Sequence, residues 1–471
     1  MLLRRRRRAS YEIDMTRGPL LPKIISFSFS LILTNVLQLL YNAADLIVVG
    51  QFSGSPNAVG AIGATNALTN LIVNLFIGLS VGVSVLVARG YGKSDRSYVE
   101  RVVHTAITVA LISGAVITAF GLIFSTTILG WMGTSEAIIG QSSLYLMIYF
   151  IGAPFNMVYN FGASILRATG DTKRPFYFLA VSGLANIVLN LIFVCLFHMD
   201  VAGVAIGTVA SQVISAVLVV LCLLKQNGMC RLSFRKLRID MGVMAEMIRI
   251  GLPASIQSCV FSISNILIQS SINSFDIAFV AEGRAPYATG SAAAASIEAF
   301  VLMSMSALYQ ASLNFTGQNS AAGQYKRVRK TLWQCLACVA VVGIVMGGIC
   351  ILFGKQLIAI YTPGDAEAIA VGYRRMQILC SLYFLCGIMD VTVGQLRGLG
   401  HSFVPMCVSI VGICVFRVFW IYTIFAAVHT WEMLLISYPI TWVLTGAVQF
   451  ICYYFIQKKF PKEDQPLPSP A

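Results

Sequence analysis

The sequence predicts an all-α polytopic membrane protein: twelve transmembrane helices in two six-helix, pseudo-symmetric lobes. Three observations carry that prediction. Hydrophobic residues make up 57% of the 471-residue chain and charged residues only 11%, against about 25% charged in ordinary soluble domains. The apolar residues arrive in runs of about 20 or more, the length at which a helix crosses a bilayer. The runs lack the strict alternation of apolar and polar residues that a closed membrane barrel needs.

Taken in order, the spans are 21–48, 58–88, 102–130, 138–165, 175–198 and 203–224 in the first half. Those of the second half are 247–274, 286–316, 331–354, 370–395, 404–427 and 433–456. The first span is apolar except for a stripe that ends in an acid. The second runs into the basic loop "RGYGKSDRSYVER", and the fourth into "LRATGDTKRP". After the sixth comes "KQNGMCRLSFRKLRIDMG" (225–242), the most polar internal segment and the natural joint between halves. The eighth span ends at the cluster Lys326, Arg327, Arg329, Lys330, and the tenth at "LRGLGHSFVP". The expected organisation is a basic tail over 1–20, a first lobe over 21–224, a linker over 225–245, a second lobe over 246–457 and a tail over 458–471.

Loop charge sets orientation. Most loop Lys and Arg follow even-numbered spans, among them Lys93, Arg96, Lys173, Arg174, Arg235 and Lys236. The loops after odd-numbered spans are assigned only Arg284, Lys355, Arg374 and Arg375. Both tails are basic, with Arg4 to Arg8 at one end and Lys458, Lys459 and Lys462 at the other. The positive-inside rule then places both termini in the cytoplasm of a multi-pass plasma (inner) membrane protein. The net charge of +14 reads as a topology signal. Because it is divided among short loops, it does not indicate nucleic-acid binding. The run "MLLRRRRR" fits either a segment that meets anionic lipid headgroups or an upstream extension of a chain starting at Met15; no signal-peptide core follows it. The tail "KEDQPLPSPA" reads as disordered. The twelve cysteines, Cys335 and Cys338 included, lie mostly in apolar spans and read as small packing residues.

The chain repeats itself. "LRATGDTKRP" (166–175) and "LRGLGHSFVP" (396–405) share Leu, Arg, Gly and Pro at one spacing, 230 residues apart. Each reads as a helix end: Arg meets the negative pole of the dipole, Gly turns the chain and Pro opens the next helix. Two six-helix units repeated in this sense share one membrane orientation and are expected to enclose a central cavity. With "LLYNAADLIVVGQF" and "LANIVLNLIFV", this repeat resembles the multidrug and toxic compound extrusion (MATE) family from about residue 20 to 457. The resemblance implies two lobes and the export of amphipathic organic cations in exchange for Na⁺ or H⁺. No cofactor is expected beyond that coupling ion; the expected partners are small cationic molecules and the lipid bilayer, with the protein a monomer.

Asp45 is the first candidate site residue. Asn35, Gln38, Asn42 and Asp45 recur at helical spacing and share a face of an otherwise apolar span. A charge at mid-membrane costs at least about 2.5–3.5 kcal/mol, so such a face turns toward protein or water. Similar stripes occur at Ser182, Asn186 and Asn190, at Thr208, Ser211, Gln212 and Ser215, and at Ser258, Ser262, Asn265 and Gln269. Interhelical hydrogen bonding accounts for many of these; it accounts poorly for an acid. A carboxylate among neutral oxygens suits Na⁺. The resemblance implies an ion site of Asp45, Asn186, Asn190 and Thr208, with Asn190 standing where relatives carry a second acid. Tyr41 and Gln38 are expected to line the same pocket.

In the second half Glu298 and Asp390 read as buried acids facing a substrate cavity, and Arg417 as the only basic residue deep in a span. Arg417 is expected to neutralise one of them. Another branch of that family carries a Glu early in span 7; here Phe261 stands at the matching position, with Gln257 nearby, so the chain departs from that branch's second site. Other classes fit less well. The loop after span 2 has Tyr91 where a major-facilitator motif requires Gly, no hydrolase or phosphate-loop motif occurs, and no segment resembles a channel filter. A lipid-linked oligosaccharide flippase of the same superfamily is the alternative; its phosphate-bearing substrate calls for cavity cations, whereas the embedded charges here read as mainly acidic.

Overall fold

The computed structural model describes residues 11–52, 58–282, 284–461 and 464. The run Arg4–Arg8, Lys462 and nearly all of the last ten residues lie outside them. Among the described residues every regular element is helical. Ten helices are long and apolar enough to cross a membrane, and two bent pairs raise the number to twelve if each pair is one span. The protein is therefore a multi-pass, all-α membrane protein. Its chain divides into two compact units, the boundary falling between Ile248 and Arg249.

The first unit is built from α1 (Leu20–Phe52), α2 (Ala58–Gly92), α3 (Arg96–Trp131), α4 (Glu136–Ile151), α5 (Ala153–Ala168), α6 (Lys173–Leu191) and α7 (Asp200–Lys225). Helix α5 packs on α2, α3 and α7, and α6 lies between α1 and α7. The expected fourth span is the bent pair α4–α5, turning by 47° at Gly152. Pro154 explains the turn, because it has no N–H for the carbonyl four residues back. The Phe150 oxygen instead accepts from the Thr118 hydroxyl at 2.6 Å. The bend nests against α3 where Gly114 and Gly121 lack side chains: a Cβ at Gly114 would lie 2.4 Å from Pro154 Cα.

A short segment before α1 is docked on this unit. Met15 is fully buried. Glu12 accepts from Tyr91 Oη at 2.6 Å and Gln226 Nε2 at 2.7 Å, and the Arg174 guanidinium lies 4.9 Å from the Tyr11 ring centre. Gly170, at φ +93°, sits so close that a Cβ would be 2.4 Å from the Ile13 carbonyl oxygen.

The second unit contains α8 (Met241–Asn273), whose first residues precede the boundary, then α9 (Pro286–Ala321), α10 (Tyr325–Leu352), α11 (Gly354–Tyr361), α12 (Ala366–Cys380), α13 (Tyr383–Gly398), α14 (Phe403–Ser409), α15 (Phe416–Trp420) and α16 (Trp431–Lys458). Helices α9 and α13 form its centre, with α10 and α12 on α9 and α16 on α13. The pair α12–α13 bends by 49°, as α4–α5 does in the first unit. Glycines again admit the bend: a Cβ at Gly343 of α10 would lie 2.8 Å from Phe384 Cα. Gly114 and Gly343 stand 229 residues apart, so the internal repeat extends to how each bend is packed.

Candidate functional site

In the first unit α1 presents Asp45 to α6. The Asn190 side-chain amide donates to Asp45 Oδ1 at 2.6 Å and lies 3.5 Å from Asn186 Oδ1. Asn186 and Asn190 are buried, one turn apart on the same face of α6. Helix α7 closes the group with Gly207, where a Cβ would fall 2.0 Å from Asn190 Oδ1. The glycine thus gives Asn190 its place.

Asn190 Oδ1 is buried with no hydrogen-bond partner among the described residues; so are Thr208 Oγ1 and Gln212 Oε1 on α7, the latter lying against Gly152 at the α4–α5 bend. Unpaired buried acceptors cost about 1–3 kcal/mol each. A carboxylate with amide and hydroxyl oxygens is a hard donor set that a proton or Na⁺ satisfies. Beyond Asp45, an apolar cluster of Val48, Val49, Tyr145, Val194, Val204 and Ala205 seals one end. In the other direction along α1, Asn42 and Gln38 are exposed. Charges beside an apolar seal interact through less water, which strengthens every electrostatic contact there.

The remaining expectations for this unit divide. Tyr41 docks α1 on α6: its hydroxyl donates to the Ala180 carbonyl at 3.2 Å, and its ring occupies the space left by Gly183. Ser182, Ser211 and Ser215 donate to carbonyls of their own helices, as do Ser258 and Ser262 in α8. The hydroxyl stripes are thus largely satisfied locally, and Asn190, with Asn186 beside it, is the stripe residue that reaches Asp45.

The second unit requires two corrections. Glu298 does not face a substrate: it is 1% exposed, paired with Arg375 at 2.9 Å, and accepts from Tyr383 Oη at 2.8 Å. Arg375 also donates to Ser291 Oγ at 2.8 Å. Arg375, expected in a loop, instead lies inside the tenth span, on α12. Its spacing of four and eight residues from Leu379 and Tyr383 was the available signal. The second correction follows from the first. Arg417 neutralises no acid; among the described residues it makes no ion pair, and its guanidinium stacks 4.1 Å from the Tyr438 ring centre.

Gln257 is held by a residue that sequence reasoning assigned only to a helix end. Arg397 is buried and donates to Gln257 Oε1 and Tyr309 Oη, both at 2.8 Å. Asp390 is half-buried in α13, with no ion pair or hydrogen bond among the described residues. Arg375, Arg397 and Arg417 are all buried, so the embedded charge of this unit is not mainly acidic. Charge balance no longer argues against a flippase.

Comparison with known proteins bears on the whole chain. The MatE family model matches residues 30–192 and 262–423. "Probable multidrug resistance protein YoeA" of Bacillus subtilis is 27% identical over 445 residues, covering 92% of this chain and 93% of the relative. "Probable multidrug resistance protein YpnP" of the same organism is 26% identical over 409 residues, covering 86% and 88%. A solved structure described as the outward-facing conformation of a multidrug resistance MATE family transporter of the MOP superfamily superposes with a TM-score of 0.87. It is 21% identical, over 95% of this chain and 98% of that one; that likeness is one of fold.

Proposed function

This chain belongs to the MatE family, and from that premise we propose that it exports amphipathic small molecules by secondary active antiport, with Na⁺ or H⁺ entering at Asp45. The relatives' names make small-molecule efflux the natural reading and do not favour the flippase. The observation that carries the coupling role is the group around Asp45: one carboxylate held by Asn190, whose own buried oxygen lacks a donor, with Asn186 one turn away.

The residues divide the work. Asp45 takes the proton or lends the charge that holds Na⁺. Asn186, Asn190 and Thr208 supply neutral oxygens. The apolar cluster past Asp45 excludes water from one side, so the ion reaches the carboxylate from one direction at a time. Occupancy removes the negative charge, loosens the hold of Asn190 on α1 and lets α1 move against α6, which alternating access requires. With both termini cytoplasmic, one ion moving inward down 100 mV supplies about 2.3 kcal/mol. Asp390, half-buried and in no ion pair among the described residues, is the acid left for attracting a substrate cation.

The reading is tested without transport. Protein in nanodiscs is titrated with NaCl against choline chloride, and separately with acid, while infrared difference spectra follow the carboxyl bands. One Asp45 band shifting with one of the two ions, and absent in Asp45→Asn, is the expected result. A spectrum in which no band depends on Asp45 refutes the coupling site.

A further inference from the structure

We propose that Arg417 is an anion subsite of the second unit, so that the exported molecules include amphiphiles carrying a carboxylate or phosphate group. This rests on the exporter reading for its substrate and goes beyond it in naming a charge class.

The charges of the cluster do not balance. Two guanidinium groups, Arg375 and Arg417, approach the Tyr438 ring, at 5.9 and 4.1 Å from its centre. One acid stands with them, Glu298, and its oxygens are committed to Arg375 and Tyr383. Arg417 is 6% exposed, and its Nε is buried without a partner. The stacked tyrosine face favours the cation but accepts none of its five N–H donors. A guanidinium in this position is built to grip a carboxylate or phosphate with two parallel hydrogen bonds.

The backbone marks the same place. The span Phe403–Phe425 is interrupted twice by π-helical turns, Ile410–Val415 and Ile421–Phe425, with Arg417 on the short α15 between them. Such turns are frequent at functional positions. Arg417 lies three residues past the middle of that span, about 4.5 Å along the axis. It is too deep for its charge to reach water past the end of the helix.

The internal repeat supplies an independent pointer. In the first unit a π-helical turn, Ile192–Leu196, directly follows the Asn186–Asn190 face of α6. Its counterpart in the second unit, 229 residues on, is Ile421–Phe425. At the motif offset of 230, Arg417 falls opposite Ile187, on the turn that carries Asn186. In both units, then, the turn follows a stretch with buried polar side chains, amides in one and a guanidinium in the other.

The test is equilibrium binding of two dyes, a rhodamine free acid and its methyl ester, which share a cationic ring system and differ by one carboxylate. In nanodiscs of phosphatidylcholine, the wild-type protein is expected to bind the acid at least tenfold more tightly than the ester. Arg417→Gln removes that preference and leaves ester affinity unchanged, whereas Arg417→Lys keeps part of it. Equal affinity for the two dyes in the wild type, or equal loss of both in Arg417→Gln, overturns the proposal. The wild-type comparison decides alone if that variant does not fold. A preference abolished by phosphatidylglycerol in the disc assigns the anion to a lipid headgroup and overturns the substrate assignment. Acid preference in binding together with absence of ion-driven efflux of either dye leaves Arg417 as the subsite and refutes the exporter reading instead.

Discussion

Replacing Gly207 with alanine isolates the Asp45 group without touching a polar atom. The new Cβ would sit 2.0 Å from Asn190 Oδ1, and ordinary contact needs about 3.4 Å. The Asn190 amide must therefore move by roughly 1.4 Å or rotate. The bond it gives Asp45, 2.6 Å long, is lost either way. A hydrogen bond to a charged group contributes about 1.5–3 kcal/mol; this one holds the empty carboxylate and is loosened by occupancy, so losing it should raise coupling-ion affinity by roughly ten- to hundredfold. The crowded atom ends a flexible side chain, so the fold should survive. Gly63→Ala, where nothing lies within 4 Å, is the matched control. The assay is the apparent ion affinity for driven dye efflux in proteoliposomes, alongside thermal unfolding of each variant. Unchanged ion affinity in Gly207→Ala would refute the claim that Asn190 organises Asp45.

Three further outcomes follow from other parts of the molecule. Glu298→Gln leaves Arg375 buried without its counter-charge and should lower stability by about 3–5 kcal/mol, read as a large drop in unfolding temperature; Glu298→Met with Arg375→Met should recover much of it, and no difference between single and double variants would contradict the pairing. Gly170→Ala forces a side chain into the left-handed region at about 1–2 kcal/mol and pushes on the Ile13 carbonyl, so faster hydrogen exchange at residues 11–15 is expected, and unchanged exchange would show that the segment does not depend on this contact. Burial pushes the Asp171 carboxyl up to about 6 despite the Arg174 guanidinium 3.2 Å away; a raised folded pKa means its stabilising effect is complete below about 4 and lost as pH rises through about 6, so Asp171→Asn should flatten the stability profile in that window, and an identical profile would count against it.

The fold class was legible because hydropathy and length constrain any chain that enters lipid. The Asp45 group was legible for a related reason: a polar stripe on an apolar helix needs a partner, and α6 carries a matching stripe whose asparagines meet it. The bends were less visible. Gly152 and Pro154 lie in the sequence as a break signal, but a continuous apolar run hid it; α12 bends at Ser381 and Leu382 with no proline. Arg375 was misplaced because it adjoins Arg374, which is exposed and does pair at the surface with Glu432. Two neighbouring arginines look alike in sequence, and a helix sends them in different directions. The docking of Glu12 and Tyr11 had no periodic signal at all, since it depends on residues more than 75 positions away.

Asp45 is the side chain on which ion coupling depends most directly. Proteoliposomes loaded with a fluorescent organic cation, and driven separately by inward Na⁺ and inward proton gradients, measure what that carboxylate does. Efflux from the wild type under at least one gradient, and none above the passive leak in Asp45→Asn under either, is the predicted result. Full gradient-driven efflux from the asparagine variant would contradict the account.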